Sequence, residues 1–160
     1  LIEEGEEMGS LLWSSKAFRE DDIIMCLQQP ECAVISDTTA LAPYGALKNN
    51  IGSISGYGWA ARFFQDYVND KKILTLTEAI RRISSLPAER LGLIKRGQLK
   101  KTFYADICVF DPQKIKNNCD LKNLKTYPSG IEHVLVNGIF AVKNGNRTEF
   151  DGGQVLRDFN

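Results

Sequence analysis

Asp37 is the first carboxylate after an unbroken apolar run, Cys32-Ala33-Val34-Ile35, which stops at Ser36-Asp37-Thr38-Thr39. Open sheets and (β/α)8 barrels gather their catalytic groups at the carboxyl ends of strands, so an aspartate there could exchange protons with a substrate. It could equally bond the amides of its own turn, a habit of Asp and Ser in such places. Other candidates carry less. His133, the sole histidine, alternates with Ile131 and Leu135 along one side of a strand pattern, which makes it structural. One imidazole cannot supply a histidine-rich metal site, so these residues do not form a complete metalloenzyme centre by themselves.

Cys26, Cys32, Cys108 and Cys119 have spacings that match neither a zinc ligand pair nor a CxxC redox pair, and reduced thiols are expected. Gly52, Gly56 and Gly58 precede a helix pattern, but neither dinucleotide nor P-loop spacing is present, and a flexible loop is the better reading. Lys95, Arg96, Lys100 and Lys101 flank Gly97 and read as a solvated basic face. No serine sits in a G-x-S-x-G elbow, which removes acyl-enzyme hydrolysis of that kind.

The elements that must position Asp37 follow from periodicity. Before it, Phe18 to Leu27 carries acidic residues in its first turn and apolar residues 23, 24 and 27 on one face, a helix ended by Pro30. The run 32–35 is continuous rather than alternating, as in a strand buried on both faces, and with the apolar stretch Ser10-Leu11-Leu12-Trp13 it forms a βαβ pattern. Residues 40–57 are a long loop of the kind that binds ligands or covers sites. A helix is expected from about Tyr57 to Asp70, with Trp59, Phe63, Phe64 and Tyr67 on a broad apolar face. Thr75-Leu76-Thr77-Glu78 reads as a capping box, and Ser85 to Gly92 as a second short helix with a serine cap, Pro87 in its first turn and a terminal glycine. Beyond residue 93 the period becomes two: Phe103 to Phe110 is a strand, and 131–136 joins 139–142 through Asn137-Gly138, the strongest hairpin signal.

With 20 basic and 20 acidic residues among 160, the formal charge is zero, which removes the electrostatic footprint of a dedicated nucleic-acid binder. No stretch is apolar enough for a membrane span and the start is not a signal peptide, so a cytoplasmic location is expected. The first residue is not Met, and the chain reads as a piece of a longer polypeptide. A folded monomer of this mass should expose roughly 8,000 Å².

The block Leu76 to Leu93, with Gly97-Gln98-Leu99 and Tyr104 to Pro112, resembles the C-terminal region of metal-dependent amidohydrolases. Tyr127-Pro128-Ser129-Gly130-Ile131-Glu132-His133-Val134-Leu135-Val136-Asn137-Gly138, then Gly153 to Arg157, is similar to the N-acyl-D-amino-acid deacylase (D-aminoacylase) branch. The resemblance covers most of residues 11–157 in order. It implies an α/β fold: residues 1–93 as the last two βα units of a TIM-type (β/α)8 barrel with connecting helices, and 94–160 as the C-terminal part of a small antiparallel β-sandwich. Ser10 to Trp13 would be strand seven and Cys32 to Ile35 strand eight.

Asp37 would then be the strand-eight aspartate, the catalytic residue and also a candidate metal contact. In such enzymes it takes a proton from the attacking water and hands it to the leaving amine. Zinc is implied for the intact enzyme, its other ligands lying on strands outside these residues, so the isolated chain is expected to be inactive. The implied partners are an N-acyl amino acid substrate and the N-terminal barrel portion, or another chain covering the same edge, with room for a homo-oligomer. Two rivals are a hydantoinase- or dihydroorotase-like enzyme acting on cyclic amides, and a non-catalytic assembly module. Two departures stand out. The family's His-Pro-Arg stretch is replaced by Ser53-Ile54-Ser55-Gly56 before Tyr57-Gly58, which bears on specificity, and Thr102 replaces a turn glycine, which suggests an altered turn.

Overall fold

The structure is a computed structural model that describes residues 19–39, 41–49, 53, 55–120 and 122–156. Ser10 to Trp13, expected as a strand, lies outside the described residues, as does Ile54.

Helix α1 (Glu20–Leu27) starts with Glu20, Asp21 and Asp22 in its first turn, where the helix dipole favours acids, and buries only Leu27. Next comes α2 (Trp59–Phe63), which widens without a break into a π-helical segment, Phe64–Asp70. The consecutive Phe63 and Phe64 are both buried. Their rings meet at 5.6 Å, and Phe64 reaches Phe110 at 5.2 Å, so this helix is the bridge between the helical half and the sheet.

Helices α3 (Leu76–Ile83) and α4 (Ser85–Arg90) follow directly on each other. Thr75 caps α3 by accepting the Glu78 amide at 3.2 Å. The reciprocal half of the expected capping box is replaced: the Glu78 carboxylate turns to Arg81 and Arg82. Ser85 is the first residue of α4 rather than its cap, and the Ser84 hydroxyl donates to the Gly97 carbonyl at 3.1 Å instead.

Strands β1 (Ile107–Phe110), β2 (Ile131–Val136), β3 (Ile139–Lys143) and β4 (Asn146–Arg147) form one antiparallel sheet in sequence order. Asn137 and Gly138 both have positive φ, 51° and 82°, the type I′ geometry that matches strand twist. Asn144-Gly145 repeats it at 52° and 74° and adds β4, a turn carried by the same dipeptide.

The core joins both halves of the chain. Leu27, Ala61, Phe63, Phe64, Leu74 and Ala79 pack with Ile115, and Phe110 and Ile131 lie against them. Ile35 is 73% exposed. The run 32–35 is therefore not buried on both faces: it is extended, half-buried for the most part, and pairs with no strand among the described residues. The same composition that suits a sandwiched strand here meets protein on one side.

Candidate active site

Asp37 ends the extended segment, with φ of 38°. Asp is among the few residues that visit the left-handed region readily, and doing so turns the chain sharply into the following loop. Its side chain is exposed. The segment is held from beneath by Arg82, which is only 3% exposed. The Val34 amide donates to the Arg82 carbonyl at 3.0 Å, while the Arg82 guanidinium donates to the carbonyls of Gln29 and Cys32, the latter at 2.9 Å. Its charge is met by Glu78 at 2.5 Å, and Arg81 joins the same carboxylate at 2.8 Å. Hydrogen bonds from Arg81 and then Arg82 hold the Glu78 carboxyl down to about 2. A buried arginine thus clamps the turn between α1 and the segment that presents Asp37.

The outer side of that segment is apolar. Ile23, Cys26, Val34, Ile35, Phe63 and Tyr67 line a groove of about 350 Å³ that runs along it. On the loop side, Thr38 accepts a hydrogen bond from Ser55 at 3.0 Å, and the Tyr57 hydroxyl donates to the Leu41 carbonyl at 2.7 Å. Burial and the neighbouring Tyr127 raise the Tyr57 hydroxyl above its ordinary value, so it remains a donor at neutral pH. The loop tip touches the sheet half: Arg147 lies 4.9 Å over the Tyr44 ring, and Tyr57 meets Tyr127 edge-on at 5.1 Å.

No cluster of three or more His, Cys, Asp and Glu side chains that could hold a metal occurs among the described residues. Asp37 supplies one oxygen donor of the kind zinc accepts and fits such a centre as a contributor, with the other ligands coming from elsewhere. His133 is on β2, its Nδ1 accepting the Asn144 amide at 3.1 Å, the structural role expected of it. All four cysteines are unpaired with one another. The basic face is not uniformly solvated: Arg96 lies 4.2 Å over Tyr104, pairs with Asp106 and donates to Asn137 at 2.7 Å, tying the approach to β1 to the hairpin. Asp106 fixes it there by accepting the Asn137 amide at 2.8 Å. Gly56 presses against the Thr39 carbonyl, where a Cβ would collide, so its lack of a side chain serves close packing and not a phosphate. Thr102 keeps the left-handed conformation of a turn glycine, φ 74°, so this feature of the turn is retained under strain. No helix among the described residues is long and apolar enough to cross a membrane.

No protein-family model matches the chain. It is 37% identical over 102 residues to N-acyl-D-glutamate deacylase of Alcaligenes xylosoxydans xylosoxydans, which covers 64% of this chain and 21% of that protein. D-aminoacylase of the same organism is 33% identical over 100 residues, covering 62% of this chain and 21% of the relative. The chain therefore spans about a fifth of the length of the curated relatives it matches. Among solved structures, a D-aminoacylase mutant in complex with CuCl2 superposes with a TM-score of 0.76 at 25% identity, over 88% of this chain and 28% of that one. N-acyl-D-glutamate deacylase from Bordetella bronchiseptica, complexed with zinc and a phosphonate inhibitor, superposes at 0.67 with 29% identity, over 81% and 27%. The chain is thus similar, in sequence over about 100 residues and in fold over most of its length, to part of the N-acyl-D-glutamate deacylases and D-aminoacylases.

Proposed function

We propose that this chain is the C-terminal portion of a zinc-dependent N-acyl-D-amino-acid deacylase, with Asp37 as its proton-transferring carboxylate. The observation that carries the reading is the superposition of 88% of the chain on a D-aminoacylase at a TM-score of 0.76. In this reading, residues 1–93 end a (β/α)8 barrel and 94–160 belong to its β-sandwich. Two barrel strands cannot close by themselves, and the apolar groove beside residues 32–35 is the kind of surface that a neighbouring barrel element would cover.

Zinc, when bound, makes water nucleophilic near neutral pH and polarises the amide carbonyl. Asp37 supplies what that chemistry still needs. Its carboxylate accepts the proton released as water attacks the carbonyl, then delivers it to the departing nitrogen, because an amine leaves far more readily protonated. The left-handed turn at Asp37 and the Arg82 clamp behind it hold the carboxylate at the end of its segment. A single carboxylate cannot hold zinc in a tetrahedral site, so the 160-residue chain by itself is expected to be inactive. Both relatives are named for linear N-acyl amino acids, which favours linear over cyclic amides.

The test is release of free amino acid from N-acetyl-D-glutamate, N-acetyl-D-aspartate and N-acetyl-D-leucine, with their L-isomers and hydantoins alongside, by the zinc-loaded full polypeptide. Hydrolysis confined to acyl-D-amino acids supports the reading. Turnover of the cyclic substrates alone, or of none, overturns it.

A further inference from the structure

Two stretches flank the loop that follows Asp37, and they grip each other in order. Ser55 Oγ donates to Thr38 Oγ1 at 3.0 Å. Gly56 packs flush on the Thr39 carbonyl, with no room for a Cβ. The Tyr57 hydroxyl donates to the Leu41 carbonyl at 2.7 Å. These contacts ascend together along both stretches and close the base of the loop like a clasp.

The hydroxyls have a definite proton order. Ser55 has one proton, given to Thr38, so in the 2.8 Å contact between Ser53 Oγ and Ser55 Oγ the donor must be Ser53. Ser53 Oγ in turn accepts the Ser55 amide at 3.3 Å. The relay therefore runs from the Ser55 amide to Ser53, back to Ser55 and on to Thr38, each bond polarising the next. It ends on the residue beside Asp37, and the Thr38 proton has no acceptor among the described residues. The other end of the loop is anchored as well, since Lys125 Nζ donates to the carbonyls of Leu47 and Lys48 at 3.3 and 2.8 Å.

We propose that Ser55 is a positioning residue for Asp37: through Thr38 it fixes the left-handed turn that presents the carboxylate. The inference rests on the deacylase reading for its catalytic consequence. Asp37 has the conformation of a sharp turn with no side-chain bond of its own among the described residues, so its placement depends on what holds position 38.

The experiment compares Ser55→Ala, Ser55→Thr and Gly56→Ala with the parent in the zinc-loaded full polypeptide, by kinetics and by the NMR Cα and Cβ shifts of residues 37–39, which report backbone conformation. Loss of the hydroxyl should move the Asp37 shifts away from their left-handed values towards averaged ones, with melting temperature little changed. It should lower kcat by about fivefold to tenfold, the factor that one hydroxyl hydrogen bond contributes, while leaving KM within about twofold, because the substrate is bound but the carboxylate is misplaced. Threonine, which keeps the hydroxyl, should restore both, and Gly56→Ala should act as Ser55→Ala does by forcing the clasp apart. Unchanged shifts in Ser55→Ala overturn the clasp, and changed shifts with parental kcat overturn the positioning role. A parent that releases no amino acid from any acyl-D-amino acid defeats the deacylase reading, and Ser55 is then judged on the shifts of residue 37 alone.

Discussion

Replacing Arg82 with methionine keeps much of the buried volume and removes the guanidinium that clamps the 28–34 turn. Three acceptors lose a donor: Glu78 Oε1 at 2.5 Å, the Gln29 carbonyl, and the Cys32 carbonyl at 2.9 Å. They do not suffer equally. Glu78 retains Arg81 at 2.8 Å and its side chain is 30% exposed, so its charge is not stranded. Gln29 is exposed and can turn to water, which leaves the half-buried Cys32 carbonyl as the group that loses most. Stranding a fully buried charge costs about 3–5 kcal/mol, so the expected loss for Arg82→Met is lower, about 2–3 kcal/mol. Arg82→Lys keeps the charge but not the planar fork that reaches three acceptors, and should lose about 1–2 kcal/mol. Urea unfolding followed by tryptophan fluorescence measures both. A methionine variant within about 0.5 kcal/mol of the parent, the range of ordinary surface changes, would refute the clamp.

Thr102 is β-branched at φ 74°, so Thr102→Gly removes about 1–2 kcal/mol of left-handed strain and adds about 0.5–1 kcal/mol of chain entropy. A rise in the unfolding midpoint is expected, and a fall would show that the threonine side chain contributes more than its backbone costs. Gly138→Ala should destabilise by about 1–2 kcal/mol through φ alone, because the new methyl group would meet nothing nearer than Ala105 Cβ at 3.9 Å. Parental stability in that variant would contradict the type I′ assignment. Glu78 has a folded-state value lowered to about 2 from an ordinary 4.5, so its contribution to stability is complete above about pH 4.5 and fades as pH falls towards 2. Melting temperature should drop through that window in the parent and less steeply in Glu78→Gln. Equal slopes would place the acid sensitivity elsewhere.

Local chemistry made much of the fold readable. The Asn137-Gly138 hairpin, the Thr75 cap and the α1 span follow from one or two residues acting on their own backbone. Asn144-Gly145 carried the same turn signal, yet the two-residue strand it starts, β4, is too short for period two to register. The π-helical widening after Phe63 has no local signature in the sequence. The run 32–35 has the composition of a strand buried on both faces; the described residues cover one of them, and the other lines the groove that the proposed barrel neighbour would fill.

The candidate site divides the same way. Asp37 stood out because its carboxylate follows an apolar run, which is a property of adjacent residues. Arg82 did not, since its partners Gln29 and Cys32 lie some fifty positions away and nothing local marks an arginine as buried. Nothing local marks Ser55 as a positioning residue either, because its partner Thr38 lies across the loop. Arg96 was hidden by its company, as one basic residue among four, until Tyr104 and Asp106 closed around it.

The most direct test of the account is the turnover of Asp37→Asn in the zinc-loaded full polypeptide, measured as amino acid released from the best N-acyl-D-amino acid substrate. Asparagine keeps the shape of the side chain and accepts no proton, so kcat per bound zinc should fall by about 10²- to 10⁴-fold while the melting temperature stays near that of the parent. An asparagine variant that turns over within a fewfold of the parent would contradict the role assigned to Asp37.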